Sequence, residues 1–383
     1  MSARANWCIA AAACACFAAG VALSHWVEPG VAVKVVTLAG DTPSLQFTPA
    51  GPGPHPVALL AHGITASKET LFRFGEALAA AGFECFAVDF PGHGESAQPF
   101  SFNKTAVTLD KIARSLGSVD VFLGHSMGAY AGAGSVRDGY LSPQLFIAVG
   151  ASPNLGEHDT PLLLLAGWFD EAFPPARLKA RTAARLVISP WCDHAFEPYD
   201  SHLVNAAVES ACAAVGKTPP AAPTRWHWRL AGMALGIMGA LGLAFSLPKL
   251  PPRWTWVRGL LVPAIYIVAI TLISGTWLGV APLLRRTPLY IAFAAIGLFI
   301  IIGAGKLRIP RWSFLALTVM AWIGGLIAGA NIFAFFTSFF ALILSVGTIL
   351  GAMAAHRGSR RAGDIALAIF MGYALGQWIP MMY

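Results

Sequence analysis

The last 155 residues of the chain, from Arg229 to Tyr383, contain one acidic side chain, Asp364, and are otherwise almost continuously apolar. Six apolar stretches lie at about 229 to 247, 258 to 281, 288 to 304, 312 to 330, 333 to 355 and 364 to 383. As helices, they are long enough to cross the ~30 Å hydrocarbon core of a bilayer. Buried helices of a large soluble core alternate with amphipathic helices, and these stretches do not. The sequence therefore predicts a bundle of six C-terminal transmembrane helices.

A seventh apolar stretch, Trp7 to Ser24, follows Arg4 near the beginning of the chain. Ala22 and Ser24 place small residues where a signal peptidase cuts. Residues 1 to 24 are therefore predicted to be either an uncleaved signal anchor or a signal peptide cut after Ser24. In both cases the segment that follows is sent across the membrane.

The net charge of +7 is divided unevenly along the chain. Residues before Arg229 carry 14 basic and 18 acidic side chains, and the apolar part carries 12 basic side chains and one acid. With the first helix running outward, ten basic residues fall on the inside and two, Arg285 and Arg286, fall in the short outside loops. The ten are Arg4, Lys249, Arg253, Arg258, Lys306, Arg308, Arg311, Arg357, Arg360 and Arg361. The positive-inside rule then places residues 25 to 228 outside the cytoplasm, and the excess charge indicates topology rather than nucleic-acid binding.

Residues 25 to 216 have a different sequence pattern, in which strand-like and helix-like segments alternate. Strands are predicted at Val33 to Leu38, Leu45 to Thr48, Val57 to Ala61, Phe83 to Phe90, Val119 to Leu123, Leu145 to Gly150, Leu162 to Ala166 and Arg185 to Ser189. Helices are predicted at about 68 to 81, 102 to 116, 127 to 139, 176 to 184 and 200 to 215. This alternation is typical of an α/β fold with a mainly parallel sheet covered on both faces. Residues 217 to 228, rich in Pro and Ala, are predicted to link it to the membrane domain, 229 to 383.

The strongest local motif is Gly124-His125-Ser126-Met127-Gly128, between a predicted strand and a predicted helix. A serine hydroxyl is a weak nucleophile that has to be presented in the open beside a base. A sharp strand-to-helix turn presents it, and glycine on both sides avoids a collision with the neighbouring backbone. The motif therefore predicts Ser126 as a nucleophile.

With this motif, residues 33 to 215 resemble the α/β-hydrolase family. The resemblance implies an oxyanion hole formed by the backbone N–H groups of Met127 and, in the loop Ala61 to Thr65, of Ile64. Gly63 lets this loop approach the substrate, and His62 is interpreted as a residue that stabilises the loop. Only Pro153 to Pro161 occupy the place where many relatives insert a lid, so a minimal, lidless α/β-hydrolase sandwich is expected.

The resemblance also implies the remaining members of a catalytic triad, in the order serine, acid, histidine. Asp170 follows the predicted strand at Leu162 and matches the acid, with Glu171 as its nearest competitor. His194 follows the next strand and matches the general base.

Several other polar residues are weighed against these positions. His202, inside the final helix, remains an alternative to His194. Asp193 is interpreted as a brace for the loop. The turn Asp89 to Ser96 resembles a structural turn of the family, so Asp89 and His93 are not expected to be catalytic.

The cysteines and the remaining motifs predict no cofactor and no metal site. A disulfide between Cys192 and Cys212 would tie the His194 loop to the last helix, but the sequence does not give their separation. A buried free thiol is therefore the preferred interpretation for each, as for Cys85. No Cys, His and acid cluster has metal-ligand spacing, and no glycine-rich phosphate loop is present.

Two functions from different classes follow from the sequence. The first is a membrane-anchored serine hydrolase that cleaves a carboxylic ester or related acyl bond of a small-molecule or lipid-like substrate, with an acyltransferase as a variant of the same chemistry. The second is a membrane or transport protein whose hydrolase-like domain is a non-catalytic sensor. The apolar stretches contain no pair of buried charges that would indicate transport, which favours an anchoring role.

Overall fold

The computed structural model describes residues 3–179, 184–220, 226–274, 346–356 and 359–378. Its centre is an eight-stranded sheet with the order β1-β2-β4-β3-β5-β6-β7-β8. The strands are β1 (Val31–Leu38), β2 (Thr42–Pro49), β3 (Val57–Ala61), β4 (Glu84–Val88), β5 (Val121–His125), β6 (Leu145–Val149), β7 (Leu162–Gly167) and β8 (Arg185–Ser189). β2 is antiparallel to both of its neighbours, and all other neighbouring strands are parallel. The predicted mainly parallel sheet is confirmed.

The parallel strands are buried on both faces because helices cover each side of the sheet. The helices of this domain are α2 (Phe72–Ala80), α3 (Phe102–Leu116), α4 (Met127–Arg137), α5 (Pro175–Lys179) and α6 (Ser201–Ala214). α2 and α6 contribute to one hydrophobic core, and α3 and α4 contribute to the other. Every residue of β5 and β6 is buried, as expected for strands between two layers of helices. The carboxyl ends of β5, β7 and β8 therefore meet at one edge of the sheet.

The structure describes the apolar C-terminal part of the chain, 229 to 383, only in pieces. It contains α7 (Trp226–Ser246), α8 (Arg258–Ser274) and two further helices at Val346–His356 and Arg360–Trp378. The predicted stretches at 288 to 304 and 312 to 330, and most of 333 to 355, lie outside the described residues. Among the described residues, two helices are long and apolar enough to cross a membrane, Asn6–Ser24 and Trp226–Ser246. The six-helix bundle is therefore not supported by the described part of the chain.

The N-terminal helix α1 (Ala3–Ser24) packs along α7 in an antiparallel direction. Their backbones approach closely through glycine, because a Cβ added to Gly20 would collide with Gly236 and one added to Gly239 would meet Phe17. At the far end of the pair, Asn6 Nδ2 donates a hydrogen bond to the carbonyl of Ser246, at 2.7 Å. Small residues at such positions are typical of helix pairs within a bilayer.

The first described residue of α7, Trp226, lies within the predicted linker 217 to 228. Trp226 is buried in the hydrolase core, where its ring stacks on Tyr199. One turn later the buried Arg229 guanidinium lies 3.4 Å from Glu76 and over the ring of Phe72. The helix begins earlier than predicted because its first turn is packed onto the α/β domain.

Candidate active site

Ser126 lies at the turn between β5 and α4, in a backbone conformation that is rare for a residue with a side chain. Its φ is 49° and its ψ is −116°, and such strain is typical of a nucleophile held at a sharp turn. A Cβ at Gly124 would collide with the backbone of Ala129, and a Cβ at Gly128 would collide with the carbonyl of Ala61. Both glycines of the motif are therefore required by the packing of this turn.

The structure brings His194 and Asp170 to Ser126 from the loops that follow β8 and β7. The Ser126 Oγ lies 3.0 Å from His194 Nε2, and His194 Nδ1 lies 3.1 Å from Asp170 Oδ2. Backbone N–H groups of Ala172 and Phe173 donate to Asp170 Oδ1, which fixes the carboxylate. The three predicted triad residues thus form one connected line of hydrogen bonds.

The electrostatics assign the protons along this line. Burial alone would lower the pKa of His194, but the Asp170 carboxylate raises it and the net shift is upward. Burial would likewise raise the pKa of Asp170, but His194 and the Phe173 N–H hold it below its usual value. Asp170 therefore stays ionised and accepts the Nδ1 proton, which leaves Nε2 to accept the proton of Ser126 Oγ.

The competing residues have other roles in the structure. Glu171 Oε2 accepts from the main-chain N–H of His194 at 3.5 Å and does not contact the ring nitrogens, and burial raises its pKa to about 7. Asp193 accepts from the N–H groups of Ala195 and Phe196, which braces the loop. His202 is an exposed residue of α6. Asp170 is thus the carboxylate that orients the imidazole.

The loop after β3 passes directly over the nucleophile turn. A Cβ at Gly63 would lie 3.1 Å from Ser126 Cβ and 2.9 Å from His125 Nδ1, so glycine allows this approach. Ile64 is the next residue of the loop, and Met127 opens α4. These positions match the two N–H donors expected for an oxyanion hole.

His62 is a structural residue of the same loop. Its Nδ1 donates to the carbonyl of Gly63 at 2.7 Å, and its Nε2 accepts from the N–H of Phe90 at 3.1 Å. Burial lowers the pKa of His62 to about 4, so the ring is neutral at physiological pH. It joins the oxyanion loop to the turn after β4.

The turn after β4 is held by a buried ion cluster. Asp89 accepts from the Nζ of Lys68 at 2.7 Å, from the N–H of Lys68 at 2.8 Å and from the N–H of Glu95 at 2.8 Å. His93 Nδ1 donates to the carbonyl of Pro91. The side chains of Asp89 and His93 thus form hydrogen bonds that hold this turn. The sequence analysis likewise assigns them a structural role.

Two buried residues beside the triad, Glu197 and His125, have no role in the sequence analysis. Glu197 follows His194 by three residues, and its Oε1 accepts from the N–H of Gly167 at 2.7 Å. His125 Nε2 donates to the carbonyl of His194 at 3.1 Å, and burial lowers the pKa of His125 to about 3. Asp193 and Asp200 also lie near His194 in the sequence, so the local sequence alone does not single out Glu197.

The ligand atoms of His125, His194 and Glu197 lie within 4.8 Å of one another, a grouping that the sequence spacing did not indicate. A metal ion there would compete for His194 Nδ1, which is already bound to Asp170. His125 Nε2 donates to the His194 carbonyl and Glu197 Oε1 accepts from Gly167, so hydrogen bonds already engage all three residues.

The loop between β6 and β7 forms no lid element. Residues 150–161, between β6 and β7, contain no helix or strand, which agrees with the predicted absence of a lid. Four aromatic side chains on the loops after β7 and β8 are exposed: Trp168, Phe169, Trp191 and Phe196. Cys192 and Cys212 are both buried free thiols, so the considered disulfide is absent.

The comparison with protein families agrees with this geometry. Residues 52–191 match the family described as serine aminopeptidase, S33. The matched range covers just over a third of the chain, contains Ser126 and Asp170, and ends three residues before His194. Over this range the chain is similar to that family of hydrolases.

The solved structures that match part of this chain include proteins described as hydrolases. TT1662 from Thermus thermophilus is 20% identical, with a TM-score of 0.39 over 52% of this chain and 98% of that chain. A thioesterase domain from the curacin biosynthetic pathway is 17% identical, with a TM-score of 0.37 over 48% and 99%. A bacterial membrane phospholipase A is 15% identical, with a TM-score of 0.39 over 55% and 92%. These values carry no conclusion about substrate, and no curated protein matches the chain.

Proposed function

We propose that this protein is a membrane-anchored serine hydrolase that cleaves a carboxylic ester or a related acyl bond. The observation that carries the proposal is the line of contacts Ser126, His194 and Asp170, with distances of 3.0 and 3.1 Å. A non-catalytic sensor would not need a strained serine, a neutral acceptor nitrogen and an ionised orienting acid in one line. The same groups would serve an acyltransferase if an alcohol or amine replaced water as the acceptor.

The proposed reaction proceeds through an acyl-enzyme. Ser126 Oγ attacks the carbonyl carbon while its proton moves to His194 Nε2, and the backbone N–H groups of Ile64 and Met127 stabilise the oxyanion. The bond to the leaving group breaks as the imidazolium returns the proton to that group. Water then attacks the acyl-enzyme with His194 again as the base, which releases the acid and restores Ser126. Asp170 stabilises the imidazolium in both halves of the cycle.

The membrane anchor in this proposal rests on α1 and α7. In the most apolar 18 residues of each helix, 17% are buried in α1 and 33% in α7. Most of their apolar surface therefore faces outward. A core helix of a soluble protein would be mostly buried, and lipid is the environment that suits such a surface. The contact between α1 and α7 favours a retained anchor over a cleaved signal peptide. In this proposal the positive-inside rule places the hydrolase domain outside the cytoplasm.

The decisive experiment is labelling of the detergent-solubilised full chain with a fluorophosphonate, together with hydrolysis of acyl esters of increasing chain length and of amino-acid arylamides. We expect Ser126→Ala to abolish labelling and to lower kcat/KM by about 10⁶-fold. Ser115→Ala is the matched control, since this hydroxyl only donates to the carbonyl of Ile112 on α3. A parent protein that neither labels nor hydrolyses any substrate would remove the enzyme proposal, and an active Ser126→Ala variant would remove the nucleophile assignment.

A further inference from the structure

Glu197 lies beneath the contact between Asp170 and His194 and is completely buried. It opens a short 3-10 turn, Glu197–Tyr199, directly after the histidine loop. Its Oε1 accepts from the N–H of Gly167, the last residue of β7. Glu197 therefore joins the loop that carries His194 to the strand that carries Asp170.

The space around the other carboxyl oxygen is tightly limited. A Cβ added to Gly150 would collide with Glu197 Oε2 and would lie 2.7 Å from His194 Nδ1. Gly150 follows β6 with a φ of 55°, so a larger residue would also be strained there. The carboxyl group is therefore held in one place beside the imidazole.

The contacts of Oε2 indicate that Glu197 is a neutral acid. Its distances to the nearest ring nitrogens are 3.5 Å to His125 Nε2 and 3.7 Å to His194 Nδ1, too long for the strong hydrogen bonds that a buried carboxylate requires. Among the described residues, Glu197 Oε2 is buried without a hydrogen-bond partner, and the Asp170 carboxylate is the nearby charge that acts on it. Burial and then Asp170 raise the pKa of Glu197 well above its usual value. Two ionised carboxylates side by side in this site would repel each other.

We propose that Glu197 is a positioning residue, whose protonated carboxyl donates a hydrogen bond to Asp170 and holds that carboxylate against His194 Nδ1. The inference rests on the proposed hydrolase function and adds a fourth group to the site. Glu197 does not reach Ser126 or the substrate, so it acts through Asp170. The Oε1 contact with Gly167 keeps the donor aimed at its acceptor.

The test compares Glu197→Gln with Glu197→Leu in the full chain. Gln keeps the shape, an acceptor for Gly167 and an N–H donor for Asp170, so we expect kcat within about threefold of the parent and an unchanged acid limb of the pH profile. Leu fills the space without a donor, so Asp170 loses its alignment, and we expect kcat to fall about 10- to 100-fold with KM unchanged. The acid limb should also move to lower pH, because a misplaced Asp170 raises the pKa of His194 less.

A third variant covers the case in which Leu prevents folding, as judged by thermal unfolding. Glu197→Asp keeps the acid but withdraws it from Asp170 by one methylene, and we expect the same fall in kcat and the same shift of the acid limb. Loss of activity in Glu197→Gln would show that Glu197 is charged and would overturn the proposal. So would a pH profile whose acid limb moves in Glu197→Gln and in neither of the other variants. Full activity in a folded Leu or Asp variant would also overturn it. An inactive parent would instead refute the hydrolase function itself.

Discussion

At the scale of single residues, Asp170 and Glu171 are neighbours in the chain, yet only Asp170 contacts the imidazole. The hydrogen bonds from Ala172 and Phe173 turn the Asp170 carboxylate toward His194 Nδ1. Glu171 contacts the main chain of the histidine loop instead. Sequence alone predicted the pair but could not exclude the competitor, because a shift of one residue at a strand end is decided by local backbone turns.

Substitution of Asp170 tests this assignment. We expect Asp170→Asn to lower kcat/KM by about 10³- to 10⁴-fold, because the amide favours the wrong tautomer of His194. The activity that remains should have its acid limb at lower pH, since the negative charge that raises the pKa of His194 is lost. The measurement is kcat/KM against pH. Glu171→Gln is the control, and a larger loss in this variant than in Asp170→Asn would reverse the two roles.

At the scale of elements, the pairing of α1 with α7 is the feature that the amino-acid pattern did not reveal. The sequence predicted two apolar stretches more than 200 residues apart and left open whether the first is removed. In the structure, Gly20 and Gly236 allow the two helix backbones to touch. Arg229 of α7 also donates to the carbonyl of Trp26, beyond the predicted cleavage point. Cleavage after Ser24 would remove the contact between Gly20 and Gly236 and would keep the contact between Arg229 and Trp26.

Substitution at the helix contact tests the retained anchor. We expect the mass of the purified protein to include residues before Ser24. We also expect Gly239→Leu to lower the thermal unfolding temperature in detergent, because its side chain would collide with the backbone of α1 at Ala13 and Phe17. Ala234→Leu, at an exposed position of the same helix, should leave the temperature nearly unchanged. A mature protein that begins after Ser24, or equal stability of the two variants, would contradict a structural role for α1.

At the scale of the whole molecule, the charge distribution and the fold describe two unlike parts. The acid-poor part of the chain carries 12 basic residues and one acid, whereas the α/β domain is slightly acidic. The buried contact of Arg229 with Glu76 joins the two parts. This junction places the start of α7 against the α/β domain.

The predicted orientation is tested on intact cells. We expect protease added from outside to cut within residues 25 to 216. The positive-inside rule keeps the basic loops in the cytoplasm, which places this segment on the other side of the membrane. Cleavage is measured as the loss of full-length protein on a gel. A cytoplasmic protein that stays uncut serves as the control for intact cells. Protection of this segment until the cells are permeabilised would reverse the orientation.

The sequence by itself determined the α/β class, the nucleophile turn at Ser126 and the region of each triad partner, because these depend on local patterns of apolar residues, glycine and chain order. Only the tertiary structure decided which acid contacts His194, where α7 begins, and that Glu197 lies beneath the triad. These features arise where segments distant in the chain pack together. Burial and neighbouring charge then set the protonation of each group, and neither property is written in the local sequence.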